Sequence, residues 1–224
     1  MGLLKFFINF PVNLEVKNQE AYSQQWEFLK QVWHEETYGL ERMVRLFLCA
    51  AQFLFPILLI RDIFGRWGLI GRRLAVEAYS VLKFLFPLII LWSGLYKHSW
   101  VIFLLIYLLS DTLLHILHLV FLSDIHSAAV SYRRSLLLIF LHYAEVIFDF
   151  AVIYMAFGLL EGAVTPLNAL YFSVVANTTV GFGDIFAKNS LGQAVVIAQL
   201  LISVLFIVVF VNYFSQQKNG NDGK

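Results

Sequence analysis

The sequence predicts an all-α membrane protein, and two observations carry that expectation. Of the 224 residues, 60% are hydrophobic and only 14% are charged, with a mean hydropathy of +0.75. Soluble domains run at about 45–50% apolar and about 25% charged, and a chain this short has no core large enough to hide the excess. The second observation is that the excess is gathered into runs of the length a bilayer demands, about 20 mostly apolar residues.

Four runs meet that length: Val76–Tyr96, Ser99–Leu122, Leu136–Leu160 and Leu191–Phe214. Tyr96, Trp100 and Tyr213 lie near their ends, where amphipathic rings favour the headgroup layer. Met43–Ile60 is a fifth candidate, interrupted by Arg45, Gln52 and Pro56. It either spans or lies in the interface and re-enters; Arg45, Pro56 and the absence of an export signal favour the second reading. The opening MGLLKFFINFPVNLEV has one Lys and no small-residue cleavage pattern, so it is expected to be retained.

Upstream of these runs, Tyr22, Trp26, Leu29 and Trp33 recur at i, i+4, i+7 and i+11. That spacing draws an aromatic stripe along a helix, facing a membrane surface or partner subunit, or packed on its own chain. The tail Ser215–Lys224 is polar and rich in Gly and Asn, a composition that predicts disorder. The chain therefore divides into an amphipathic N-terminal region (1–42), an apolar segment with a basic loop (43–75), two auxiliary spans (76–135), a segment holding the last two spans (136–214) and the tail (215–224).

Sixteen basic residues against 15 acidic ones leave a formal charge of +1, which gives nucleic acid no reason to bind. The distribution is more telling. Residues 1–41 hold three Lys and six Glu, whereas 42–75 hold six Arg and one Asp. Cys49 stands alone and cannot close a disulfide within the chain.

Between the last two spans lies Thr165-Pro166, then LNALYFSVVA, then Asn177-Thr178-Thr179-Val180-Gly181-Phe182-Gly183-Asp184. Pro166 suits the first position of a helix, where a missing N–H costs nothing. A helix of about ten residues cannot cross the bilayer, so the chain must re-enter. Gly181 and Gly183 tolerate positive φ, and alternating them with ordinary residues lets consecutive carbonyls face one side. Four copies around an axis would stack rings of oxygen, and the negative end of the short helix would favour a cation there.

This stretch closely resembles the selectivity filter of potassium channels, Thr-(Val/Ile)-Gly-(Tyr/Phe)-Gly-Asp, and the likeness extends over residues 136–214 as outer helix, pore helix, filter and inner helix. The resemblance implies K+ sites formed by the carbonyls of Thr179, Val180, Gly181 and Phe182, the innermost completed by the Thr179 hydroxyl. It places Gly183 at the outer mouth and Asp184 behind the filter, with Thr178 beside it. It also implies a homotetramer in the lipid bilayer, with no organic cofactor. Departures from the pattern touch the bracing. Val175 stands where some members have Glu, Tyr171-Phe172 where many have two Trp, and Phe182 lacks the commoner Tyr hydroxyl; Tyr171 or Asn177 could substitute as partners of Asp184.

Where relatives bend the inner helix at a glycine, this chain has Ser203; Gly192, at the helix start, suits close packing rather than hinging. Ile202, Phe206 and Phe210 recur at i, i+4 and i+8, so Ser203, Phe206 and Phe210 are candidate gate residues, with helix packing as the alternative. Residues 98–132 contain no Lys or Arg, which argues against a conventional voltage sensor. No nucleotide- or calcium-binding domain follows the pore in this sequence.

One polar feature remains. Asp111, His115 and His118 share a face of one span, and His142, Glu145 and Asp149 share a face of the next. Counted from the intervening loop, the two stripes lie at similar depth and are expected to meet. Ionisable groups in a membrane are functional candidates by default. The readings are a hydrogen-bonded packing seam, a pH-responsive seam, or a metal site, the last without a familiar ligand spacing.

If the filter opens outward, Arg133, Arg134 and the basic loop 61–75 fall inside the cell, in agreement with the positive-inside tendency, and the C-terminus is cytoplasmic. The plasma (inner) membrane is the expected location. The expectation is therefore a passive K+-selective channel and not an enzyme. Alternatives are a weakly selective cation channel, a membrane metal or redox protein using His115, His118 and His142, and a non-conducting regulatory subunit.

Overall fold

The computed structural model describes residues 21–34, 39–65, 68–122, 132–162 and 165–221. Residues 1–20 of the expected N-terminal region, Arg66 of the basic loop and 222–224 of the tail lie outside them. The described residues form eight α-helices: α1 (Ala21–His34), α2 (Leu40–Ala51), α3 (Ile57–Gly65), α4 (Gly68–Ser93), α5 (Ser99–Phe121), α6 (Tyr132–Phe157), α7 (Pro166–Asn177) and α8 (Ser190–Asn221). Two short strands, β1 (Leu160–Glu161) and β2 (Phe186–Ala187), pair antiparallel on either side of α7 in sequence.

Four helical stretches are long and apolar enough to cross a membrane: Gly71–Ser93, Ser99–Phe121, Arg134–Phe157 and Ser190–Phe214. They match the four runs read from the sequence to within a few residues at each end. The fold is that of an all-α membrane protein. Its core is built around α6, which packs against α4, α5, α7 and α8. Ile90, Leu105, Ile116, Val152, Tyr154 and Phe206 are buried in one continuous apolar cluster. Inside α4, Pro87 supplies no N–H for the carbonyl of Lys83, one turn earlier.

The fifth candidate is not a straight helix. Leu40–Leu54 and Ile57–Gly65 meet at 62°, as a broken span or a re-entrant pair. The cause is Pro56: Phe55, immediately before it, is extended (φ −108°, ψ 150°), as the clash with a following proline ring requires. The break is tied to α5, because Tyr107 donates to the Leu54 carbonyl at 2.8 Å and stacks on Phe55.

Helix α1 packs on its own chain, in part through the aromatic stripe: Tyr22 and Trp26 lie against Phe53, and Leu29 packs beside Leu48 and Cys49. Its buried residues are Ala21, Gln25 and Val32, and Gln25 Nε2 donates to the Cys49 carbonyl at 2.9 Å. Val32 joins Leu48, Cys49 and Leu122 in a second small core. Trp26 and Trp33 stay exposed on the flank, where Lys30 and Arg42 lie over their rings.

At the other end, α8 runs on to Asn221, whereas the sequence predicts disorder from Ser215. The first residues past Phe214 include Gln216, Gln217 and Lys218, all good helix formers. Extending an existing helix costs far less than nucleating one.

Candidate functional site: the re-entrant pore segment

The pore segment begins where α6 stops. Gly158 takes a positive φ of 57°, Gly158 N–H donates to Met155, and Leu159 N–H reaches back to Tyr154 at 3.1 Å. This glycine-centred termination uses up the carbonyls that the helix end would leave unpaired. Helix α7 then starts as the sequence predicts. Thr165 accepts a hydrogen bond from Asn168 N–H through its side chain, and Pro166 occupies the first turn.

The end of α7 repeats the termination seen in α6, with one difference. Thr179 N–H donates to Ala176 at 3.0 Å and Val180 N–H to Val175 at 3.1 Å. The residue at the left-handed position is Thr179, at φ 59°, the sole non-glycine with positive φ among the described residues. A β-branched residue is rarely found in this conformation. Gly181 (φ 59°) and Gly183 (φ 80°) continue the pattern, so positive φ falls at every second residue from Thr179 to Gly183. The alternation argued from the glycines therefore begins one step earlier, on a threonine.

The expected support residues divide as follows. Tyr171 forms a side-chain hydrogen bond with Asp184 and lies parallel to the Phe182 ring. Asn177 does not join them: its Oδ1 accepts from Ser203 on α8, and its buried Nδ2 has no hydrogen-bond partner within the chain. Thr178 Oγ1 donates back to Val174 at 2.8 Å, holding the last turn of α7. Val175 is half-buried and lines a cavity of about 310 Å³ between α7, the glycine strand and α8.

Reading the sequence missed the brace that holds α7. Ser173 Oγ donates to the Ile147 carbonyl of α6 at 2.7 Å, and Gln199 Nε2 of α8 reaches Ser173 Oγ at 2.9 Å and its carbonyl at 3.0 Å. Tyr154 of α6 closes the group by donating to Gln199 Oε1 at 2.7 Å. The available signal was Gln199 itself, a lone amide in an apolar run, which at membrane depth must find partners.

The candidate gate residues take other positions. Ser203 is buried and bonds Asn177 and the Gln199 carbonyl. Phe206 is fully buried against Tyr143, and Phe210 packs on Phe140 with ring centroids 4.7 Å apart. Both rings pack against α6, the helix-packing alternative that the sequence left open. The face of α8 that the single chain leaves uncovered carries Ile197, Leu201, Val204, Val208 and Val211. Gly192, at the start of α8, is in tight contact: a Cβ there would sit 2.8 Å from the Leu159 carbonyl. It serves close packing, as its position in the sequence suggests.

The polar seam forms, with a member that the sequence reading overlooked. Lys83 of α4, itself buried, lies 3.0 Å from Asp111 Oδ2 and 3.6 Å from Glu145 Oε1. Tyr79 donates to the same Asp111 oxygen at 2.9 Å. Thr112 accepts from Lys83 and donates to Glu145 at 2.8 Å, and His142 Nδ1 is 2.8 Å from Glu145 Oε2. His115 and His142 approach with ring centroids 5.6 Å apart, whereas His118 turns to the Leu114 carbonyl. Asp149 is buried, and its Oδ2 has no hydrogen-bond partner among the described residues. Among the described residues no group of His, Cys, Asp or Glu is arranged to hold a metal ion.

A helix ending in a glycine strand at membrane depth, framed by two long apolar helices, defines an ion-channel pore. Residues 137–217 match the family model described as "Ion channel", a match that supports the likeness of this segment to a potassium-channel pore. No curated protein and no solved structure gives a significant match to the chain.

Proposed function

We propose that the protein conducts K+ passively and selectively through a central pore shared by four copies of the chain. The observation that carries this reading is the alternation of positive φ at Thr179, Gly181 and Gly183. An alternating backbone of this kind turns successive carbonyls to one side, the arrangement that replaces the hydration shell of an alkali ion. The carbonyls of Thr179, Val180, Gly181 and Phe182, with the Thr179 hydroxyl, form the ion sites, and Gly183 forms the outer mouth. Fourfold assembly is supported by what a single chain leaves uncovered: Val180 is 54% and Phe182 68% exposed, and the apolar face of α8 is bare. Such backbone is tolerated at membrane depth only when protein buries it or it lines a watery path.

The filter opens outward, the C-terminus is cytoplasmic, and the protein resides in the plasma membrane. Helix α5 carries no Lys or Arg, so voltage does not act on it through a ladder of basic residues.

The test is flux from purified, reconstituted protein in K+ and in Na+ gradients, with Gly181→Ala as the control and the subunit count taken by native mass measurement. Selective K+ flux, abolished by Gly181→Ala in a tetramer, is the expected result. Comparable K+ and Na+ flux would replace it with a weakly selective channel. A monomer or dimer would overturn the reading.

A further inference from the structure

The Lys83 cluster does not balance its charge. Three buried carboxylic groups, Asp111, Glu145 and Asp149, face one buried ammonium, Lys83. Full ionisation of all three would leave two negative charges without a partner at membrane depth, and each uncompensated buried charge costs several kcal/mol. The cluster is neutral only when it also holds two protons. The geometry offers a place for each: the His142 Nδ1–Glu145 Oε2 contact at 2.8 Å, and Asp149 Oδ2, buried without a partner.

The protons have a route. A cavity of about 250 Å³ lies against the cluster, lined by Arg61 of α3, Tyr79 and Lys83 of α4, Asp111, His115 and His118 of α5, and His142 of α6. Its α6 wall is formed by Leu138 and His142, in the first half of that helix, and so lies away from the glycine strand that follows the helix's other end. No residue of α7 or α8 lines the cavity among the described residues.

The cluster also touches the pore mechanically. Glu145 is two residues from Ile147, whose carbonyl anchors Ser173 of α7, which in turn holds Gln199 of α8. A change in how Lys83 grips α6 is therefore applied on the same helical turn that anchors the pore helix.

We propose that the Lys83–Glu145–His142 cluster is a proton-binding site, reached through this cavity, that sets the opening of the pore. The proposal rests on the channel reading. Proton uptake at the His142–Glu145 contact weakens the hold of Glu145 on Lys83 and loosens α4 from α6. Because a coupling of this type is worth about 5–150-fold in an equilibrium, K+ flux should change about fivefold or more between about pH 5 and pH 8.

The experiment measures reconstituted K+ flux across that range for the native chain, Glu145→Gln and His142→Gln, with His98→Gln as a control away from the cluster. A pH response that is flattened or shifted by both cluster variants and kept by the control is the expected result. Flux that ignores pH, or a response unchanged in both variants, overturns the proposal while leaving the channel intact. Absence of K+ flux at every pH overturns the channel reading instead. Infrared difference spectra of the detergent-solubilised tetramer give a readout that needs no flux. A protonated carboxylic carbonyl band at neutral pH, lost in Asp149→Asn, is expected, and a spectrum lacking that band contradicts the proton count.

Discussion

Ser173 Oγ, at the middle of the pore helix, donates to the main-chain carbonyl of Ile147 at 2.7 Å and so fixes the short helix to the outer one. The same oxygen accepts from Gln199 Nε2 at 2.9 Å, so three helices meet on one hydroxyl with no exposed surface. A pore helix of 12 residues has too little apolar face to be held by burial alone, and this polar junction supplies its orientation.

Removing the junction in steps should separate its parts. Ser173→Ala loses one donor and one acceptor but leaves Gln199 bonded to the residue 173 carbonyl, and should lower stability by about 1–2 kcal/mol. Gln199→Leu strands the buried Tyr154 hydroxyl as well and should cost about 2–3 kcal/mol. Thermal melting of the solubilised protein, followed by size-exclusion chromatography, should rank Gln199→Leu below Ser173→Ala.

Tyr171→Phe keeps the ring stacked near Phe182 but removes the donor to Asp184. The expected consequence is faster decay of K+ flux after its onset, with thermal stability nearly unchanged, since Tyr171 is partly exposed in the single chain. Asp184→Asn should produce a similar decay. A time course identical to the native one in both variants would show that this contact does not steady the strand.

Gly192 and Gly158 offer a paired comparison. An alanine Cβ at 192 meets the Leu159 carbonyl at 2.8 Å, so backbone must move, at a cost of about 1–3 kcal/mol. At 158 the added Cβ meets nothing, and the cost is the left-handed φ alone, about 1–2 kcal/mol. Gly192→Ala should also disturb the contact between α8 and the end of α6, and therefore reduce the yield of assembled protein more than Gly158→Ala does.

Lys83→Met leaves Asp111 and Glu145 buried without their cation, and should cost about 3–5 kcal/mol. Lys83→Met with Asp111→Asn and Glu145→Gln removes the charges together and should recover most of that loss. Folding yield and melting temperature measure both. An unaffected single variant would show that water reaches the site freely enough to screen it.

Some of this was legible in the residues. The four spans follow from apolar run length, which lipid enforces more strictly than water enforces any soluble pattern. Thr165, Pro166, Gly181 and Gly183 announced the helix start and the glycine strand through backbone chemistry that is local and strong. The facing of Asp111 and Glu145 followed from counting turns inward from a common loop. Lys83 escaped because one cation in an otherwise apolar run looks like a snorkelling side chain. Only the packing of α4 on α6 brings it to the acids of α5 and α6. Phe206 and Phe210 show the opposite limit: helical period identifies a shared face, but not which neighbour that face meets.

Thr179 is both the capping residue of α7 and the first residue of the alternating strand, so helix and strand share one peptide register. A shift of the strand at that end therefore pulls on the hydrogen bonds that finish the short helix. Any collapse of the strand from that end must first undo the helix terminus. The chirality of a single threonine thus stores a tension where helix and strand join that a glycine there would release.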